Sequence, residues 1–189
     1  MKFTQEWWSL NPPTYSIKVN TTGNARYDST PNSAEQTGQN YTQEFNMSDG
    51  TKNKIFSALQ ALNFFNKTID DVQPGDSGTH TLVYSYNGNQ TVATYHGTSN
   101  QTAQQLTKLF QSISTTFETA RRLDKLHQAK DPALGDVVSR MLTRAQAGEL
   151  VELQAILPTL QSIANDTSVD KTIRNQVNAV IKIAFMASS

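Results

Sequence analysis

The chain has 189 residues, no cysteine and a formal net charge of zero at neutral pH. Its length allows one or two domains with a hydrophobic core, and the absence of cysteine excludes disulfide and thiolate chemistry. Residues 1–99 carry six basic and eight acidic side chains, and residues 100–189 carry ten and eight. Because there is no basic stripe and no apolar run of roughly 20 residues, the sequence predicts neither a nucleic-acid partner nor a membrane span.

Residues 1–13 are predicted to form an N-terminal arm. The arm contains Trp7 and Trp8, and the prolines that follow at 12 and 13 stop regular structure. The two tryptophans have two interpretations, an exposed anchor for a partner or aromatic packing over the sheet. Only 17% of the residues are charged, and uncharged polar residues replace them. This composition favours a periplasmic or extracellular protein whose leader has been removed, with a cytoplasmic protein as the alternative.

The first of two hairpin–helix units follows the arm. Apolar and polar residues alternate over residues 15–20, which predicts a half-buried strand, and residues 25–29 and 41–45 are expected to form the strands that follow it. Residues 28–40 contain no large apolar side chain, which is typical of a solvent-exposed loop. Ser48 is a good N-cap for a helix that is expected to end at Asn63-Phe64-Phe65.

The second unit is the clearer one. Asn87-Gly88 between β-branched and aromatic runs predicts a tight hairpin turn, with strands at 82–86 and 90–95. A long amphipathic helix is expected to open at Ser99 or Asn100 and to continue to about residue 126. This repeated pattern indicates an antiparallel sheet covered by two helices.

Three further helices are predicted after residue 128. Asp131-Pro132 is a start signal for the first of them, and Gly148 is a stop signal. The second helix is expected to kink at Pro158, and the third to begin near residue 169. The sequence therefore predicts an α+β fold: an arm over residues 1–13, an α+β domain over 14–128 and a helical bundle over 129–189 docked against it.

Candidate chemistry is sparse. In the predicted register His80 and His96 lie almost opposite each other, and with Asp76 or Asp71 nearby they form a conceivable metal site with two histidines and a carboxylate. The interpretation we favour is two strand-end histidines that face water. The sequence offers no nucleophile elbow, no buried pair of acids and no phosphate loop. We therefore expect a protein that is not an enzyme and has no cofactor.

The pieces Tyr15-Ser-Ile-Lys-Val-Asn20, Gly23-Asn-Ala-Arg-Tyr27 and the helix closed by Phe64-Phe65, followed by a hairpin and a helix, resemble uncharacterised bacterial envelope domains. The resemblance covers residues 14–126 and implies an exported module with no known reaction. The function expected is a non-catalytic binding or structural module that engages a protein or polymer through a sheet face or an interdomain groove.

Aromatic residues are the candidates for that binding surface, and stacking of carbohydrate or peptide is the chemistry they suggest. They are Trp7, Trp8, Tyr84, Tyr86 and Tyr95. Two alternative functions stay open. One is a metal-dependent hydrolase centred on His80, His96 and the loop Asp70–Asp76, and the other is an inhibitor-like protein that acts through a polar loop such as residues 28–40.

Overall fold

The structure is a computed structural model that describes residues 1–7, 9–30, 40–66, 69, 71–72 and 78–187. It contains two compact units, residues 1–111 and residues 112–189, and the boundary between them lies inside one 28-residue helix. The first unit holds an antiparallel sheet and the second is helical. The predicted α+β fold with a helical C-terminal part is confirmed.

Six strands form the sheet, in the order β4-β3-β2-β1-β5-β6 with every neighbouring pair antiparallel. Their bounds are β1 Lys2–Glu6, β2 Thr14–Val19, β3 Asn24–Thr30, β4 Tyr41–Asn46, β5 Thr79–Tyr86 and β6 Asn89–Tyr95. The strands predicted near residues 15–20, 25–29, 41–45, 82–86 and 90–95 are all present. The predicted pairing of β5 with β6 is also confirmed, since His80 lies opposite Tyr95.

Strand β1 is the element that the sequence did not predict. It lies between β2 and β5, so part of the segment expected to be an arm is a central strand of the sheet. Phe3 and Gln5 point inward, and Gln5 is only 2% exposed. Because the second inward residue is a glutamine, Phe3 is the one apolar side chain on the inward face of this five-residue strand. A single apolar residue gives no alternation of apolar and polar residues from which a strand could be predicted.

One face of the sheet carries the core. Cross-strand pairing places Phe3, Ile17 and Leu82 on this inner face, where all three are fully buried. The opposite, outer face carries mainly threonine and serine, together with three basic residues (Lys2, Lys18, Arg26) and three acidic ones (Glu6, Asp28, Glu44). This division follows from the two-residue period of a strand whose two faces meet different surroundings.

The first unit contains one whole helix and the start of a second, up to residue 111. Helix α1 spans Asp49–Ala61, and the Ser48 hydroxyl accepts a hydrogen bond from the Thr51 N–H, as expected of an N-cap. Helix α2 spans Gln101–Gln128, and its first turn is capped by the Asn100 side chain. The ring of Phe110 on α2 stacks on Phe3 with centroids 4.6 Å apart, which fixes the helix on the inner face.

The second unit consists of the end of α2 and three helices, α3 Leu134–Gln146, α4 Leu157–Asn165 and α5 Lys171–Ala187. Helix α5 packs against both α3 and α4. Gly135 allows α3 and α5 to approach closely, because a Cβ at this position would lie 3.2 Å from Ile173. His127 at the end of α2 hydrogen-bonds Asp166 after α4, with Nε2 and Oδ2 2.8 Å apart.

Two details of the helical prediction are wrong. Helix α3 begins at Leu134 rather than directly after Asp131, because the Asp131 carboxylate accepts a hydrogen bond from the Ala133 N–H and holds a separate turn. Pro158 does not kink a helix. It lies in the first turn of α4, after a 3-10 turn at Leu153–Ile156. Backbone N–H groups in the first turn form no hydrogen bond within the helix, so a proline there breaks none.

Candidate functional site

Three aromatic side chains gather where the β5–β6 hairpin meets the end of α1. Phe64 and Tyr84 pack with ring centroids 5.2 Å apart, and Tyr84 and Tyr86 have nearly parallel rings 6.5 Å apart. Tyr86 is 63% exposed, whereas Tyr84 and Phe64 are half-buried. We call this cluster of Phe64, Tyr84 and Tyr86 the aromatic patch.

The hairpin turn positions the two tyrosines. Asn87 and Gly88 have φ of 49° and 80°, the left-handed values that a type I′ turn requires at both central residues. The turn fixes the register, so that Tyr86 lies opposite Asn89 and Tyr84 opposite Thr91. Residues 84 and 86 are two apart on one strand, and their side chains therefore emerge on the same face.

An unusual backbone segment positions Phe64. Asn63, Phe64 and Phe65 form a 3-10 turn after α1, and all three have positive φ, between 49° and 62°. A left-handed conformation is costly for bulky residues and persists only where neighbouring contacts impose it. Here Phe65 is buried and the Phe64 carbonyl accepts a hydrogen bond from the Thr91 hydroxyl.

Uncharged polar side chains surround the aromatic patch. Together they line an open groove of about 480 Å³. The lining consists of the patch itself with Asn66, Asn89, Gln90 and Thr91. The lining contains no carboxylate, amine, guanidinium or imidazole group. The amides can both donate and accept hydrogen bonds, so the groove presents flat apolar ring faces beside neutral polar groups.

Tyr95, also predicted for a binding surface, is not part of this groove. It is 1% exposed, and its hydroxyl pairs with the Thr107 hydroxyl on α2 at 2.6 Å. Tyr95 lies on the inner face of the sheet, where Thr107 of α2 contacts it. Burial raises the pKa of Tyr95.

The tryptophans of the N-terminal segment are divided. Trp8 lies outside the described residues. Trp7 is half-buried against Gly78, where a Cβ would come within 2.6 Å of the Trp7 Cβ, and its buried indole N–H meets no hydrogen-bond partner among the described residues. Trp7 therefore packs against the chain at the start of β5.

The two histidines at the other end of the hairpin have different surroundings. His80 is 5% exposed and stacks with Phe3, so the expectation that it faces water is wrong. Burial lowers its pKa, as does the nearby charge of His96 to a lesser extent, and within the described part of the chain its Nδ1 has no hydrogen-bond partner. His96 is exposed and pairs with Asp71, with Nδ1 and Oδ2 3.0 Å apart.

Metal binding at these histidines therefore finds little support in the geometry. His80 points into the core, because it shares the inner face with Tyr95, whereas His96 is exposed and pairs with Asp71, one of the two acids predicted for the site. Asp70 and Asp76 lie outside the described residues, as do residues 31–39 of the polar loop. Among the residues that are described, no three histidine or acidic side chains come close enough to hold a metal ion.

Phe64 is the member of the aromatic patch that the sequence did not single out. Phe64-Phe65 was interpreted only as the end of a helix. A signal was present, since two adjacent phenylalanines at a helix end cannot both point into the same core. One of them had to be at least partly exposed.

Comparison of the chain with protein-family models, with curated proteins and with solved structures finds no match. In the described part of the chain, no helix has both the length and the apolar character needed to cross a membrane.

Proposed function

We propose that this protein is a non-catalytic binding module that holds a neutral carbohydrate chain on the aromatic patch. The single observation that carries the proposal is the composition of the groove: three aromatic rings and four uncharged polar side chains. Sugar rings have an apolar face that stacks on aromatic rings and hydroxyls that exchange hydrogen bonds with amides. Such a ligand matches both halves of the groove.

The arrangement of the rings supports an extended ligand. The 6.5 Å between the rings of Tyr84 and Tyr86 equals about two residues of strand rise, and the strand keeps both rings parallel. Phe64 is held by a constrained turn and Tyr84 by packing, so little side-chain freedom remains to be lost on binding. The open groove also suits a polymer that enters and leaves at both ends.

The proposed setting is the bacterial cell envelope or the extracellular space, where a polysaccharide is at hand. The low proportion of charged residues and the abundance of uncharged polar residues support this setting.

A glycan screen followed by calorimetry tests the proposal. The comparison is between the wild type, Tyr86→Ala and, as a matched control, Phe185→Ala, which removes an aromatic ring that is 55% exposed on α5 in the other unit. Stacking of one ring contributes about 0.5–1.5 kcal/mol, so Tyr86→Ala should weaken glycan binding roughly 2- to 13-fold. Phe185→Ala should leave the affinity unchanged.

The proposal fails if no neutral glycan binds, or if Tyr86→Ala binds as tightly as the wild type. Tyr86 is largely exposed, so its removal should leave the fold intact, and circular dichroism and thermal unfolding of the variant verify this. A loss of binding in a properly folded variant is then attributable to the aromatic patch.

A further inference from the structure

The outer face of the sheet carries a row of basic side chains that the sequence does not reveal. Lys2 lies opposite Lys18, and Lys18 lies opposite Arg26, so three cations stand side by side on neighbouring strands β1, β2 and β3. Neighbouring strands are about 4.8 Å apart. Residues 16 and 8 positions apart in the sequence thus form a compact basic row.

Only part of this charge is neutralised within the protein. The Arg26 guanidinium donates to both oxygens of Asp28 at 2.8 and 3.0 Å, and Glu44 lies 3.8 Å away on β4. Lys2 and Lys18 form no ion pair with any residue that the structure describes. Like charges directly opposite each other destabilise a sheet, and an anionic ligand between them would reverse that effect.

A groove lies beside this row. Its volume is about 840 Å³, and it is open to solvent. Besides the three cations its lining includes one carboxylate, that of Glu44 next to Arg26, and the exposed polar side chains of Asn24, Asn46 and Ser85 on the same outer face. Asn24 and Asn46 lie opposite each other on β3 and β4. The groove therefore combines the two lysine ammonium groups and the paired Arg26 with neutral hydrogen-bond donors, and it has one carboxylate, Glu44, at its β4 side.

We propose that this outer-face groove binds a phosphate-bearing polyanion through Lys2 and Lys18. Lysine, asparagine and serine side chains are typical donors to phosphate oxygens, and a lysine acts there as a point charge of tolerant geometry. Arg26 is already paired, because its Nε–H is shared between the two Asp28 oxygens and its Nη1 lies 3.8 Å from Glu44, so the two lysines are the cations left for a ligand. Because a lysine ammonium donates to phosphate oxygens in many orientations, we assign the groove to a chain of phosphates, with an acidic peptide as the competing outcome of the test.

This inference is independent of the carbohydrate proposal, because the two surfaces lie on opposite faces of the sheet. Calorimetry with linear polyphosphate at low salt tests it, with polyglutamate of equal charge as the competing ligand. The variant Lys2→Gln/Lys18→Gln removes the two unpaired cations. The control Lys54→Gln/Lys182→Gln removes two exposed lysines elsewhere, so that net charge changes equally.

Polyphosphate should bind the wild type and the control alike, and binding should weaken as salt is added. Exposed ion pairs of this kind imply that the Lys2/Lys18 variant binds roughly 2- to 30-fold more weakly. Equal affinity of the variant and the control would overturn the proposal, as would the absence of binding. Polyglutamate that binds more tightly than polyphosphate would also overturn it and would assign the groove to an acidic peptide.

Discussion

Replacing Phe64 by alanine and by glycine tests the constrained turn that shapes the aromatic patch. Phe64 has φ of 54°, in the left-handed region. For alanine this conformation costs about 1–2 kcal/mol, whereas glycine adopts it freely but loses about 0.5–1 kcal/mol of additional backbone entropy on folding. The glycine variant should therefore be more stable than the alanine variant by about 0.5–1 kcal/mol.

Both variants lose the same ring contact with Tyr84, so their difference isolates the backbone. The assay is urea denaturation of the wild type and both variants. If the two units unfold in separate transitions, the comparison uses the transition of the first unit, which contains Phe64. Asn53, exposed in the middle of α1, is the matched control: there alanine should be more stable than glycine by about 1 kcal/mol. The same order at both positions, alanine above glycine, would refute the left-handed turn.

Three further predictions concern the sheet. Replacing Lys18 with threonine should raise the free energy of unfolding by about 0.2–1 kcal/mol because it removes the like-charged pair with Lys2, and a loss of stability would contradict that pairing. Burial lowers the pKa of His80, so as pH falls the unfolded chain binds a proton at this histidine before the folded chain does. The free energy of unfolding should therefore decline below about pH 6.5. His80→Gln should reduce this decline, which urea denaturation at several pH values measures. Tyr95→Phe removes the hydroxyl bonded to Thr107 and should cost about 0.5–1.5 kcal/mol, and an unchanged unfolding midpoint would show that this bond contributes nothing.

Local signals explain what the sequence predicted well. The Asn87-Gly88 turn fixes the register of β5 and β6, and the observed pairing of His80 with Tyr95 is the one that this turn dictates. Ser48 and the apolar stripe after it likewise define α1 from a dozen neighbouring residues. Such elements depend on residues close together in the chain, and their physics is complete within a short segment.

What the sequence did not predict depends on partners far along the chain. Gln5 is buried because its side-chain oxygen accepts hydrogen bonds from Tyr15 and Gln111, 10 and 106 positions away. Without those partners an inward glutamine would carry a large desolvation cost, so β1 does not resemble a strand in isolation. The basic row of Lys2, Lys18 and Arg26 is missed for the same reason, since it exists only once β1, β2 and β3 are in register.

The end of β5 gives the molecule two chemically different surfaces. Val83 and Ser85 line the groove on the outer face, while Tyr84 and Tyr86 belong to the aromatic patch on the inner face. Strict alternation along one strand keeps the charged and the neutral environments apart, although the residues are consecutive. A substitution at one surface therefore leaves the side chains of the other in place. An anionic ligand needs cations around it, whereas a neutral ligand does not. Alternation of side chains would therefore allow this one short strand to contribute to both of the proposed binding surfaces.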